Sequence, residues 1–125
     1  MTTTPHHALN WFEIPVRDLD RAQAFYEALL DAPLRREQMG GQTLAVFRYD
    51  EPGVGGCLLA GEHVPAPSSQ GALVYLNAKP SLDAALARVE KAGGRITTPK
   101  VQLPGDMGAF AHIVDTEGNR VGLHA

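Results

Sequence analysis

Hydrophobic and polar residues alternate from Trp11 to Val16: Phe12, Ile14 and Val16 fall on one side, Trp11, Glu13 and Pro15 on the other. A period of two marks a strand with one buried face. At Asp18 the alternation stops, and Leu19, Ala22, Phe25, Tyr26, Leu29 and Leu30 follow at the spacing of a helix with one apolar stripe. Asp18 is placed to cap that helix by accepting from its free backbone N–H groups. Pro33 closes it, because the residue ahead of a proline avoids the α region. Leu34 to Met39 and Gln42 to Tyr49 read as two strands joined at Gly40-Gly41, a pair suited to a tight hairpin. Asp50-Glu51-Pro52-Gly53 is turn chemistry, and Gly56 to Ala60 is a short apolar strand. Glu62 to Gly71, with Pro65, Pro67, Ser68 and Ser69, has the composition of a linker.

The pattern then starts again. Leu73 to Ala78 alternates as a strand, and Ser81 caps a second helix with Leu82, Ala85, Leu86 and Val89 on its apolar side. Gly93-Gly94 supplies a left-handed helix ending. Arg95 to Thr98, Ala109 to Val114 and Asn119 to His124 are three more strands, and Asp115-Thr116-Glu117-Gly118 is the counterpart of the turn at Asp50. Leu19-Asp20 matches Leu82-Asp83 at an offset of 63; ahead of the helices the offset is 62, so Trp11 matches Leu73 and Glu13 matches Tyr75. A repeat of this length means two similar modules, each too small to be stable alone, packed together. The reading is a single domain over 1–125, with a first module at about 8–62 and a second at about 71–125.

Composition narrows the function classes. A hydrophobic share of 44% against 20% charged residues describes a globular chain able to bury a core. A net charge of −3 offers no general attraction to nucleic acid. No apolar run approaches the roughly 18 residues that span a bilayer, and MTTTPHHALN reads as a leader without a signal-type hydrophobic run. One cysteine, Cys57, allows neither an intrachain disulfide nor a zinc ribbon, so a reducing cytoplasm is expected. The chain has no GxSxG elbow and no GxxxxGK[ST] phosphate loop, and no helix follows Gly53-Val54-Gly55-Gly56 to receive a phosphate.

The duplicated strand–helix–three-strand order, the opening IPVRDLDRAQAFYEALL and the ending DTEGNRVGL resemble the vicinal oxygen chelate superfamily, over roughly residues 8 to 125. That group includes glyoxalase I, extradiol dioxygenases, and fosfomycin- and bleomycin-resistance proteins. The resemblance implies an α+β fold: two tandem βαβββ modules forming curled mixed sheets around a concave groove, with the helices outside. It also implies a divalent metal held by His or Glu at the positions of Trp11, Leu73 and Gly122, with a fourth ligand near Gly56 to Leu58. None of these residues is a His, Asp or Glu, and Cys57 is the only conceivable ligand among them. The expectation is that the family's metal site is lost and that no cofactor is needed.

Parity then names the groove residues. Val74, Leu76 and Ala78, Ala111 and Ile113, and Val121 and Leu123 suit the helix-covered side. Tyr75 and Asn77, Phe110 and His112, and Arg120 and His124 turn to the groove, joining Trp11 and Glu13. Aromatic walls with a few converging polar groups build small-molecule sites. Trp11, Tyr75, Asn77, Phe110 and Arg120 are the candidate ligand-binding residues; Glu13, His112 and His124 are the candidate catalytic ones. Each also has a structural reading, such as a Glu13–Arg120 ion pair, a satisfied His112 or packing by Trp11. The first function is a metal-independent small-molecule-binding protein of the bleomycin-resistance type, for which a net-acidic groove favours cationic ligands. The alternative is a lyase or isomerase with Glu13 as base and a histidine as acid, or with a divalent metal on Glu13, His112 and His124. A third is an interaction module whose groove is filled by its own side chains. A homodimer is expected, since open sheets leave edges to cover.

Overall fold

The structure, a computed structural model, describes residues 4–125. Its elements are β1 (Trp11–Pro15), α1 (Leu19–Leu30), β2 (Arg35–Met39), β3 (Gln42–Val46), β4 (Gly55–Leu59), β5 (Tyr75–Asn77), α2 (Leu82–Ala92), β6 (Arg95–Gln102), β7 (Ala109–Val114) and β8 (Arg120–His124). The order β1-β4-β3-β2 in one sheet recurs as β5-β8-β7-β6 in the other. In both, the first strand runs parallel to the last and the remaining neighbours are antiparallel. The fold is therefore α+β, two open mixed sheets built from tandem βαβββ modules. The start of the N-terminal leader lies outside the described residues; His6 and His7 are exposed and belong to no helix or strand.

The helical stripes read from the sequence are the buried ones. Ala22, Phe25, Tyr26 and Leu29 of α1 and Leu82, Ala85 and Val89 of α2 are buried. They share one continuous core with Ile14, Leu58, Leu76, Ile113 and Leu123 from both sheets. Both N-caps form as expected: Asp18 Oδ1 accepts from Arg21 N–H at 3.0 Å and Ser81 Oγ from Ala84 N–H at 3.1 Å, each worth about 1 kcal/mol. Arg88 of α2 donates twice to the Leu29 carbonyl, at 3.1 and 2.9 Å. It thereby satisfies a carbonyl of the last turn of α1 that has no partner within its own helix.

Several boundaries move. Helix α1 ends at Leu30 because Asp31, not a glycine, takes the left-handed conformation at φ 52°, ahead of Pro33. Strand β3 stops at Val46, and β5 is only three residues long. Strand β6 continues past Thr98 to Gln102 by absorbing two register shifts against β7. At Gly40 and Gly41 the φ angles are 59° and 83°, the paired positive values that the β2–β3 hairpin needs.

The largest surprise is the turn between β7 and β8, which is a buried clamp between the modules. Glu117 accepts from the backbone N–H groups of Arg17 at 2.9 Å and Asp18 at 3.0 Å, at the entry to α1. It also accepts from Arg21 Nε at 2.6 Å and Nη2 at 2.9 Å, and from the Thr116 hydroxyl at 2.9 Å. Burial alone would raise its pKa, but these donors more than reverse that and hold the carboxyl at about 2. Asp115 accepts from the buried Tyr26 hydroxyl at 2.5 Å and from the N–H groups of Glu117 and Asn119. Burial and then the Asp115 charge push the Tyr26 phenol well above 10. Asn119 Nδ2 donates to the Pro15 carbonyl at 2.8 Å, and its Oδ1 accepts from Ser68 N–H at 3.1 Å. The second module thus fixes both the strand and the helix start of the first.

Candidate ligand site

The face of each sheet turned away from the helices can be read row by row from the register. In the second module Gly122 pairs with Tyr75 on one side and His112 on the other. With no side chain between them, the Tyr75 ring lies across Gly122, so close that an added Cβ would meet it at 2.4 Å. Its hydroxyl reaches His112 Nε2 at 2.8 Å. Phe110 stands edge-on to Tyr75, centroids 6.0 Å apart and planes at 87°, and 5.4 Å from the His112 ring. The next row holds Asn77, His124 and Phe110. Tyr75 remains 48% exposed, so this aromatic platform is open.

The corresponding row of the first module is Glu13, Cys57 and Val46. Here the face is filled rather than open. Leu44, Val46, Cys57 and Leu59 form a separate buried cluster, packed under Tyr49 and Val64. Burial pushes the Cys57 thiol up to about 11, with the Glu13 charge adding to the rise and the Trp11 indole N–H opposing it. The Trp11 ring meets Tyr49 edge-on at 6.2 Å, and the Tyr49 ring in turn lies over Gly55. One of the two concave faces is therefore plugged by its own side chains.

Two cavities open between the modules. The larger, about 460 Å³, runs along the seam between the edge strands β1 and β5. Phe12, Phe47, Tyr49 and Tyr75 wall it, with Leu30 and Leu76 deeper and Arg48 and Asn77 as polar members. The smaller, about 250 Å³, lies between Glu13 and Pro15 on one side and Arg120 and Asn119 on the other, closed by Ser68 and Gln70 of the linker.

The structure disperses the candidate residues. Tyr75 and Asn77 line the seam cavity, while Glu13 and Arg120 share the smaller one. Among the described residues no salt bridge joins Glu13 to Arg120; the four ion pairs lie elsewhere. His112 is held by Tyr75, and His124 Nε2 donates to the Met107 carbonyl at 2.7 Å. Phe110 packs on the platform, and Trp11 packs on Tyr49. Among the described residues no three His, Cys, Asp or Glu side chains are gathered as metal ligands would be, so Glu13, His112 and His124 do not converge. Arg48, Tyr49 and Phe47 were missed as cavity residues. They follow the true end of β3, in what the sequence presents as more of the same strand.

The register also aligns the two modules at the positions that the resemblance implies for the superfamily's metal ligands. Gly122 pairs with Tyr75 and Cys57 pairs with Glu13, and Tyr75 is the repeat partner of Glu13, so Cys57 is the first-module counterpart of Gly122. The ligand positions that the resemblance implies are then Trp11, Cys57, Leu73 and Gly122. An indole, a protonated buried thiol, an alkyl chain and a bare backbone do not fit a divalent metal, which requires several nitrogen, oxygen or thiolate donors.

Duplicated mixed sheets with helices on one side and a partly open concave face on the other define the class. The family model for the Glyoxalase/Bleomycin resistance protein/Dioxygenase superfamily matches residues 8–123, and the chain belongs to that superfamily. Solved structures agree. A glyoxalase/bleomycin resistance protein from Albidiferax ferrireducens T118 is 21% identical over 94% of this chain and 98% of its own, with a TM-score of 0.69. The E144Q glyoxalase I mutant from Zea mays is 23% identical over 93% of this chain and 46% of its own, TM-score 0.67. An integron cassette protein from the mobile metagenome of V. cholerae is 20% identical over 99% and 98%, TM-score 0.65. At such identities the likeness is one of fold. No curated protein sequence matches the chain.

Proposed function

We propose that the protein binds a small molecule in the seam cavity and does so without a metal at the superfamily's ligand positions. The observation that carries this reading is the cavity itself. Its volume of about 460 Å³ lies within the roughly 300–1,000 Å³ of small-molecule sites, and aromatic rings from both modules wall it. The smaller cavity falls below that range. The lyase or isomerase alternative draws no support from the geometry, because Glu13 lines the smaller cavity while the two histidines, both neighbours of Phe110 in the second sheet, are engaged with Tyr75 and the Met107 carbonyl.

Native mass spectrometry of protein isolated from its own host tests the reading. A retained small molecule should be released by Leu73→Trp, which fills the cavity from its lining. Retention by that variant, or backbone NMR shifts of screened compounds that map away from Leu73–Asn77, would overturn it. We also propose a cytoplasmic homodimer. The edge strands β2 and β6 each have one open edge, Trp11 and Tyr75 are exposed, and the one thiol is buried and reduced. Sedimentation as a 13.4 kDa monomer at high micromolar concentration would refute the dimer.

A further inference from the structure

Building on the seam cavity as the binding site, we infer that its ligand is an anion with a flat apolar body, an aryl carboxylate being the simplest example. The walls decide the body. Phe12, Phe47, Tyr49 and Tyr75 present ring faces and edges, and the space equals about fifteen water molecules at about 30 Å³ each. That volume suits a fused or substituted ring, not a peptide or a nucleotide.

The polar groups decide the charge. Four polar side chains line the cavity, Arg48, Tyr49, Tyr75 and Asn77, and no carboxylate does. A guanidinium has only donors to offer. Arg48 takes part in none of the four salt bridges among the described residues, so its charge is free for a ligand. The Asn77 amide is oriented by the chain itself, because its Oδ1 accepts from Lys79 N–H at 2.9 Å. What remains to face a ligand is the amide NH₂, again a donor. The Tyr75 hydroxyl is engaged with His112, and the Tyr49 hydroxyl can donate. The site is thus rich in donors and poor in acceptors, on two opposed walls of an apolar slot. A cationic ligand would meet Arg48 with no acid to answer it. The protein's net charge of −3 repels anions in general, so a preference for one must arise locally.

The test compares three probes of one shape on the full chain: 2-naphthoate, neutral 2-naphthamide and cationic 2-naphthylmethylamine. Calorimetry gives each Kd, and backbone NMR shifts at Leu73–Asn77 locate each probe. The naphthoate should bind about tenfold tighter than the amide, the size of effect a partly exposed charge-assisted contact provides. Arg48→Gln should abolish that preference by weakening naphthoate binding to the level of the amide measured on the same variant; Arg48 is exposed, so the variant will fold. Equal or tighter binding of the amide or the amine, or a preference surviving Arg48→Gln, would overturn the anion assignment and leave the cavity reading standing. Failure of all three probes to shift the seam would overturn both.

Discussion

Replacing Glu117 by Gln is the sharpest probe of how the two modules hold together. Five donors converge on the two carboxylate oxygens, and the side chain has no solvent exposure. A glutamine turns one oxygen into an NH₂ group. In one orientation that group faces the Arg21 Nε–H and the Thr116 hydroxyl; in the other it faces two backbone N–H groups and Arg21 Nη2. Neither orientation satisfies the cluster. The charge contribution follows from the carboxyl being held at about 2 in place of 4.5. At about 1.36 kcal/mol per pKa unit, this corresponds to roughly 3 kcal/mol at pH 7.

The same number fixes the pH window. A depressed carboxyl stabilises the fold fully above its unfolded pKa, near 4.5, and that stabilisation is lost as pH falls toward 2. Between pH 7 and pH 3 the contribution should fall by roughly 2 kcal/mol. Urea unfolding of wild type and Glu117→Gln at pH 7, 5, 4 and 3 measures it, because other titrating groups cancel in the difference between the two proteins. The stability gap should be about 3 kcal/mol at neutral pH and shrink steadily below pH 4.5. A gap under 1 kcal/mol at pH 7, or one that stays constant down to pH 3, would show that the cluster does not tie the modules electrostatically.

Tyr26→Phe removes the 2.5 Å bond to Asp115 inside the same clamp and should cost about 1.5–3 kcal/mol by urea unfolding at pH 7; a loss under 0.5 kcal/mol would contradict the contact. Gly122→Ala drives a methyl into the Tyr75 ring, an overlap that should cost about 1–3 kcal/mol. It should also break the Tyr75–His112 bond, visible as a shift of the His112 ring resonances; unchanged resonances would mean the ring does not lie on the glycine. Cys57, buried with its thiol at about 11, should resist a disulfide reagent at pH 8 in the folded protein. Its labelling should track unfolding by denaturant, and rapid labelling without denaturant would refute the plugged face.

Much of this architecture was written in local pattern. The 2-period of Phe12, Ile14 and Val16 and the stripe through Phe25, Tyr26 and Leu29 depend on burial alone, and burial is what periodicity reports. The caps Asp18 and Ser81 are equally local. The clamp was not legible for the opposite reason. Asp115, Glu117 and Asn119 look like ordinary turn residues, and their partners in the first module lie 89 to 104 positions away along the chain. Parity gave the face of Glu13, His112 and His124 but carried no information on their mutual distance. The one-residue doubt over the fourth ligand position vanished only when cross-strand register paired Cys57 with Glu13.

The metal positions and the aromatic walls are connected through glycine. A side chain at position 122 would project from the row between Tyr75 and His112, into the volume now taken by the Tyr75 ring. Gly55 stands in the same relation to Tyr49, where an added Cβ would fall 2.3 Å from the ring. Each sheet therefore has, on a central strand, a glycine with a ring against its backbone where a side chain would stand, and both of those rings line the seam cavity. Restoring a carboxylate at position 122 would require displacing Tyr75, and with it one wall of that cavity and the partner of His112. A side chain at position 122 and the Tyr75 ring, as it lies here, compete for the same space. On that ground the bare backbone at Gly122 and the Tyr75 wall of the slot are one feature, not two.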